Sequence, residues 1–273
     1  MPHLEEKQTV IGLKRKKKNG EKISSVSLYD YPSAKVASDA GIDIILVGDS
    51  LGMVLQNKLN TLSVTLEEMI YHTRLVASAQ PVSMVVADMP FGSYHLGPSQ
   101  AVENAVRFLK EGGAEGVKLE GGRKRWPEID AIIRADIPLM GHLGLTPQSI
   151  HALGGFRAQG KIKEKADEIL EDALELERRG AFSIVLESIP VELAKRITDS
   201  ISIPTIGIGA GKYCDGQVLV FHDMLGFTNS YIPKFVRKYA DLYSVTHQAL
   251  ENYIADIQSG AFPGDEESIF TKK

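Results

Sequence analysis

Four acidic residues stand one or two residues behind the ends of short runs of strand-forming residues. They are Asp49, Asp88, Glu120 and Glu187. If these strands are parallel, their carboxyl ends meet along one edge of a sheet. Four carboxylates gathered there repel one another and are driven toward protonation unless a cation lies between them. The pattern therefore predicts a divalent metal site.

Further polar residues occupy the same predicted strand ends, namely Ser50, Lys118 and His142. Lys118 precedes Glu120 by two residues, so both side chains point to the same face of their strand. Taken alone, each acid has a structural explanation, as when Asp49 caps the following helix. The joint occurrence of the acids at four strand ends favours a functional site instead.

The ligand types available narrow the choice of metal. The chain has one cysteine, Cys214, and no His or Cys cluster with zinc spacing, so oxygen ligands and Mg²⁺ are the simplest assignment. Magnesium keeps several waters, which leaves coordination positions for a chelating substrate such as a 2-oxo acid. Such an ion acts as a Lewis acid and stabilises an enolate. The sequence leaves the role of Cys214 open.

The elements that position these residues alternate between helix and strand. Apolar residues recur with helical spacing over 101–109 and 166–174, and each stretch is followed by glycine and then a strand pattern. Eight runs read as strands: 24–28, 42–47, 82–87, 116–119, 137–140, 182–186, 204–208 and 218–221. Eight such units predict an α/β fold, a (β/α)8 TIM barrel rather than an open doubly wound sheet. We expect residues 1–273 to form a single barrel domain with short N- and C-terminal extensions.

Composition excludes several other classes of protein. With 43% hydrophobic and 24% charged residues and a net charge of -4, the chain has no overall basic field for nucleic acid. The cluster KRKKK at 14–18 is local, and a solvated helix end explains it better than nucleic-acid binding. The sequence has no apolar run of membrane-spanning length and no leader pattern. We therefore expect a cytoplasmic protein with small-molecule substrates, no nucleic-acid partner and no membrane partner.

Many segments of the chain, in order, resemble the ketopantoate hydroxymethyltransferase family. The matching stretches are YDYPSAK, LVGDSLGM, TLSVTLEEMIYHT, ADMPFGSY, VKLEGG, GHLGLTPQS, GGFRAQGK, LESIPVELAKRIT, IGIGAGKYCDGQVLVFHDMLG and PKF. The resemblance extends from about residue 24 toward the C-terminus. It implies a barrel of the phosphoenolpyruvate mutase and isocitrate lyase superfamily, assembled as a homodecamer.

The resemblance also implies an activity and a role for each site residue. Family members transfer a hydroxymethyl group from 5,10-methylenetetrahydrofolate to 3-methyl-2-oxobutanoate in pantothenate biosynthesis, and they use one Mg²⁺ ion per subunit. By motif, Asp49, Asp88 and Glu120 correspond to the Mg²⁺ group. The residues implied to contact the oxo acid are Asp49, Ser50, Asp88, Lys118 and His142. Glu187 corresponds to the catalytic base, and no motif identifies the folate-binding residues.

Some positions depart from the family pattern, and two other functions remain open. Ser27 and Leu28 stand where the family usually has Thr-Ala, and we expect them at the rim of the barrel. One alternative function is a Mg²⁺-dependent lyase of the same superfamily that cleaves a C–C bond in a 2-oxo or 2-hydroxy acid. The other is a ligand sensor without catalysis. Lyases of this superfamily often place a catalytic cysteine in a mobile loop, whereas the only cysteine of this chain lies in GKYCDG, which disfavours the lyase. A sensor would tolerate loss of the site acids, so the presence of all four disfavours the sensor.

Overall fold

Eight parallel strands in sequence order form a closed barrel. The structure is a computed structural model that describes residues 6–227 and 232–271. The strands are β1 Ile23–Ser27, β2 Ile44–Val47, β3 Met84–Asp88, β4 Gly116–Glu120, β5 Leu139–Gly144, β6 Ser183–Glu187, β7 Thr205–Ile208 and β8 Gly216–Val220. Pairing of β1 with β8 closes the barrel. The predicted (β/α)8 fold is confirmed.

Helices alternate with these strands along the chain. They are α1 Val10–Lys18, α2 Tyr31–Asp39, α3 Leu51–Val54, α4 Leu66–Ser78, α5 Pro98–Lys110, α6 Trp126–Arg134, α7 Ile150–Leu153, α8 Lys163–Arg179, α9 Val191–Ser200, α10 Phe221–Met224 and α11 Leu242–Ser259. The two predicted helical stretches lie within α5 and α8. Helix α8 ends at Gly180, whose φ of 108° is a left-handed conformation that glycine adopts without a steric penalty.

The alternation of side chains along each strand decides what faces the barrel interior. In β3, Met84 and Val86 belong to the interior apolar cluster, so Asp88 shares their face. In β6, Val185 belongs to the same cluster and Glu187 follows two residues later. The interior is therefore apolar at the middle and acidic at the carboxyl ends of the strands, which is the face where barrel enzymes place their active sites.

Helix α1 closes the amino-terminal end of the barrel. Leu13 is fully buried and packs into the interior cluster. Lys16 Nζ lies 2.5 Å from Asp43 Oδ1, and Lys17 Nζ lies 2.9 Å from Asp215 Oδ2. The interpretation of the 14–18 cluster as a solvated helix end is therefore wrong for these two lysines, because they pair with acids at the amino ends of β2 and β8.

The chain divides into two compact units, Met1–Val220 with the barrel and Phe221–Lys273 with α10 and α11. Within the second unit, α11 has no buried residue. The expectation of one domain over the whole chain with short extensions stays a prediction. In the part of the chain that the structure describes, no helix combines the length and apolar character needed to cross a membrane.

Candidate active site

The structure brings the predicted site residues together at the carboxyl end of the barrel. Asp88, Glu120 and Glu187 are the last residues of β3, β4 and β6. Asp49 follows β2 by two residues, and its backbone N–H donates to Asp88 Oδ2 at 3.3 Å. His142 lies inside β5 rather than behind it, because β5 continues to Gly144, two residues beyond His142.

Lys118 is the buried cation among these acids. Its Nζ lies 2.8 Å from Asp88 Oδ1, 3.2 Å from His142 Nδ1 and 4.0 Å from Glu120 Oε1. The neighbouring acids raise the pKa of Lys118 although burial opposes the rise, so the side chain stays charged. One ammonium group thus faces several carboxylates.

His142 links this cluster to Glu187. Its Nδ1 lies 3.4 Å from Glu120 Oε1, and its Nε2 lies 3.2 Å from Glu187 Oε2. Burial and the Lys118 charge favour the neutral imidazole, but the contacts with Glu120 and Glu187 outweigh them and raise the pKa of His142 to about 9. Glu187 has the most exposed side chain of the three, at 16% against 3% for His142 and Glu120.

Burial and neighbouring charges shift the pKa values of the remaining acids. Burial, followed by repulsion from Asp88 and Glu120, raises the pKa of Asp49 well above its ordinary value. Burial also raises the pKa of Asp88. Burial favours the neutral form of Glu120, but the contact with His142 and the nearby positive charges outweigh it, so the pKa of Glu120 is lowered. The site therefore holds charge that a further cation would stabilise.

This donor set fits a hard divalent cation. Asp49, Asp88 and Glu120 are buried and offer carboxylate oxygens, and Glu120 Oε1 accepts no hydrogen bond from the described residues. Within 6–227 and 232–271, no group of three or more His, Cys, Asp or Glu side chains is arranged so that it could already hold a metal ion. Magnesium takes one or two protein carboxylates and completes its octahedron with water and substrate oxygens, so the carboxylate oxygens of the site suit it by their chemistry.

Ser50 is held by two residues of the first βα segment. Its Oγ lies 2.8 Å from the Tyr29 hydroxyl and 3.4 Å from Ser27 Oγ. Ser27 and Leu28 lie at the carboxyl end of β1, as expected, but both are buried rather than exposed at the rim. Ser27 instead lies against Ser50, because β1 and β2 are neighbours in the barrel.

The backbone around Glu187 is specialised. Ser188 has a φ of 47°, a conformation that is uncommon for residues other than glycine. Gly144, opposite Glu187 in the β5–β6 pairing, has a φ of 95°, and a Cβ atom there would lie 2.3 Å from the Glu187 carbonyl oxygen. Ser188 therefore turns the chain directly after Glu187, and the missing side chain at Gly144 lets the end of β5 approach the Glu187 backbone.

Two residues of the site were missed by the sequence analysis. Gln148 donates from Nε2 to Asp49 Oδ2 at 2.9 Å, and its Oε1 accepts a hydrogen bond from the Tyr94 hydroxyl. Burial and the charges of the site acids raise the pKa of Tyr94 well above its ordinary value, so it remains a donor. Both residues lie in matched family segments, but no periodicity or spacing marked them.

A closed parallel barrel with acids, a lysine and a histidine at the carboxyl ends of its strands defines a (β/α)8 enzyme. Solved structures share this fold. The crystal structure of 2,3-dimethylmalate lyase, a PEP mutase/isocitrate lyase superfamily member, has a TM-score of 0.59 and 16% identity, covering 96% of this chain and 92% of that one. Phosphonopyruvate hydrolase in complex with oxalate and Mg²⁺ has a TM-score of 0.60 and 12% identity, with coverages of 95% and 93%.

Closer relatives define the family. The family model described as ketopantoate hydroxymethyltransferase matches residues 7–265. The 3-methyl-2-oxobutanoate hydroxymethyltransferase of Thermoanaerobacter sp. (strain X514) is 52% identical over 270 residues, covering 99% of this chain and 98% of the relative. The enzyme of the same name from Syntrophomonas wolfei is 54% identical over 265 residues, with coverages of 97% and 96%. The chain belongs to the ketopantoate hydroxymethyltransferase family.

Proposed function

We propose that this protein is a Mg²⁺-dependent 3-methyl-2-oxobutanoate hydroxymethyltransferase. In this reaction a hydroxymethyl group passes from 5,10-methylenetetrahydrofolate to the oxo acid, water supplies the hydroxyl oxygen, and tetrahydrofolate and 2-dehydropantoate (ketopantoate) leave. Family membership and the arrangement of the site support the proposal. The observation that carries it is a separation by partner: Glu187 contacts His142 Nε2 at 3.2 Å, whereas Asp88 and Glu120 face the ammonium group of Lys118.

That separation gives the carboxylates two different roles. Asp49, Asp88 and Glu120 would hold one Mg²⁺ ion per subunit, and the ion, when bound, polarises the ketone of the substrate. Their oxygens face the buried cluster, whereas the Glu187 side chain is 16% exposed. A partly accessible carboxylate oriented by a histidine is suited to act as a general base.

The chain's own residues then carry the proton and the developing charge. The Glu187 carboxylate removes the C3 proton of the oxo acid. Lys118 stabilises the negative charge that develops on the oxygen, since its ammonium group is buried and already fixed by Asp88 at 2.8 Å. Water hydrolyses the methylene bridge, which breaks both of its bonds to folate nitrogens, releases tetrahydrofolate and leaves the one-carbon unit at the oxidation level of formaldehyde. The carbon nucleophile attacks this carbon, and its oxygen takes up the proton that Glu187 removed. Asp49, Ser50 and His142 line the oxo-acid position in this proposal, with Tyr29 orienting Ser50.

The setting of the enzyme follows from the family. We place the reaction in pantothenate biosynthesis, in the cytoplasm, and we expect a homodecamer in which each subunit carries its own site. Small molecules are the expected partners. The single-domain interpretation of residues 1–273 belongs to the same proposal.

The proposal is tested by following the C3 proton of 3-methyl-2-oxobutanoate by NMR in D2O. Exchange that requires Mg²⁺, followed by 2-dehydropantoate once 5,10-methylenetetrahydrofolate is added, is expected. Absence of both from a folded protein that binds Mg²⁺ would contradict the transferase and favour the lyase or the sensor.

The role of Glu187 is tested with Glu187→Gln. Loss of the base lowers the rate of exchange by roughly 10²–10⁴-fold. Binding of the oxo acid, measured by calorimetry, stays near that of the unmodified protein. Glu192→Gln is the matched control, because Glu192 is exposed on the first turn of α9. Exchange retained in Glu187→Gln would exclude Glu187 as the base.

A further inference from the structure

Gln148 joins two acids of the proposed metal group that lie on different strands. Its side-chain Nε2 donates to Asp49 Oδ2 at 2.9 Å, and its backbone N–H donates to Glu120 Oε2 at 3.0 Å. Asp49 follows β2 and Glu120 ends β4, so one residue contacts the acids of two strands that are not neighbours in the barrel. Gln148 itself is only 4% exposed.

The orientation of the Gln148 amide is fixed from both sides. Its Nε2 also donates to the Met89 carbonyl oxygen at 2.9 Å, and its Oε1 accepts from the Tyr94 hydroxyl. An amide rotated by 180° would place its oxygen against the Met89 carbonyl and the Asp49 carboxylate, where no donor remains. Only one orientation satisfies all these partners.

The backbone contact has an equally local cause. Gln148 lies in the short 3-10 turn Pro147–Ser149, which follows β5. The first N–H groups of a helical turn lack partners within the turn and are free to bind an acceptor. Here Glu120 supplies the acceptor, so the turn after β5 fixes one oxygen of Glu120 and leaves Oε1 without a hydrogen bond.

We propose that Gln148 is a positioning residue that sets the geometry of Asp49 and Glu120 for the cation, and that Tyr94 locks Gln148 in its working orientation. This inference rests on the proposed function, because it takes these acids as the Mg²⁺ group. Carboxylates that repel one another rotate apart unless donors hold them. A neutral amide supplies donors without adding a charge to the cluster.

The test compares Gln148→Met with Gln8→Met. Methionine has a similar length and shape but donates no hydrogen bond. Gln8 is the matched control because it is also buried, and its Nε2 also donates to a buried acid, Asp43 Oδ1, at 3.0 Å at the opposite end of the barrel. Mg²⁺ affinity is measured by calorimetry with the metal alone, and C3 proton exchange by NMR gives kcat and KM.

We expect Gln148→Met to weaken Mg²⁺ binding by roughly 10–100-fold, the usual effect of losing a residue that orients metal ligands. Added Mg²⁺ should restore most of the exchange rate in this variant, because the base is intact. Gln8→Met should lower stability in urea while leaving Mg²⁺ affinity unchanged. Tyr94→Phe removes one hydroxyl and should weaken Mg²⁺ binding by about tenfold.

The two proposals fail in distinguishable ways. Unchanged Mg²⁺ affinity in folded Gln148→Met and Tyr94→Phe would overturn the positioning role while leaving the transferase intact. Equal losses of affinity in Gln148→Met and Gln8→Met would overturn it too, since the effect would then reflect stability alone. If Gln148→Met does not fold, Tyr94→Phe decides the question. Absence of Mg²⁺ binding or exchange in the unmodified protein would instead contradict the proposed function.

Discussion

The two ends of the barrel differ in how completely their buried acids are paired with donors and cations. At the amino-terminal end, Asp43 accepts hydrogen bonds from the backbone N–H and hydroxyl of Ser24 and from Gln8, and it pairs with Lys16. Asp215, at the same end, accepts from the backbone and hydroxyl of Thr205 and pairs with Lys17. Each of these two acids therefore has its own lysine and several donors.

At the carboxyl end, acids outnumber their partners. Lys118 is the buried lysine shared by Asp88 and Glu120, and Glu120 Oε1 accepts no hydrogen bond from the described residues. Burial and mutual repulsion raise the pKa of Asp49. Acids with complete sets of partners stabilise a fold, whereas acids that lack them mark the place where a ligand completes the site.

The largest expected difference between the two ends is in catalysis. Asp88→Asn should lower Mg²⁺-dependent proton exchange by roughly 10²–10³-fold, because polarisation by the metal supplies several kcal/mol of transition-state stabilisation. Asp43→Asn should keep the exchange rate within about twofold of that of the unmodified protein, because Asp43 lies at a distant, independent position. NMR exchange on both folded variants checks this. A similar loss in both would contradict the division between the ends.

Mg²⁺ binding should stabilise the whole protein, but only through the acids at the carboxyl end of the barrel. Mg²⁺ at a hundred times its Kd should raise the free energy of unfolding by about 2.7 kcal/mol relative to protein in chelator. Urea unfolding measures this increment. Asp43→Asn should start from a lower stability, because Lys16 loses its partner, yet gain the full increment. An Asp88→Asn variant that gains the same increment would show that the metal binds elsewhere.

The smallest expected effect is a pH dependence of the metal-free protein. The pKa of His142 is raised from its ordinary 6.5 to about 9. The folded state therefore binds a proton that the unfolded state releases, and this stabilisation is complete below pH 6.5 and lost as the pH rises through 9. We expect a loss of about 1–3 kcal/mol across that window. Urea unfolding from pH 6 to 9.5 measures it, and His142→Gln should flatten the slope. An unchanged slope in that variant would exclude His142 as its source.

Most of the fold was predictable because its signals are local. Continuous aliphatic runs marked most of the eight strands, and the spacing of apolar residues marked α5 and α8. The error at His142 has the same local origin, since the final residues of β5 include glycine and give no clear strand signal. The prediction ended the strand early and placed His142 behind it.

The sequence by itself determined the barrel, the face that carries the acids, and the oxygen-donor residue types found there, because period-two alternation along a strand needs no knowledge of the neighbours. Only the tertiary structure decided which partners meet. Gln148 meets Asp49 across the mouth of the barrel, and Lys17 meets Asp215 at its base. Closure of the barrel and the register of its strands bring such pairs together, and neither leaves a pattern near the residues concerned.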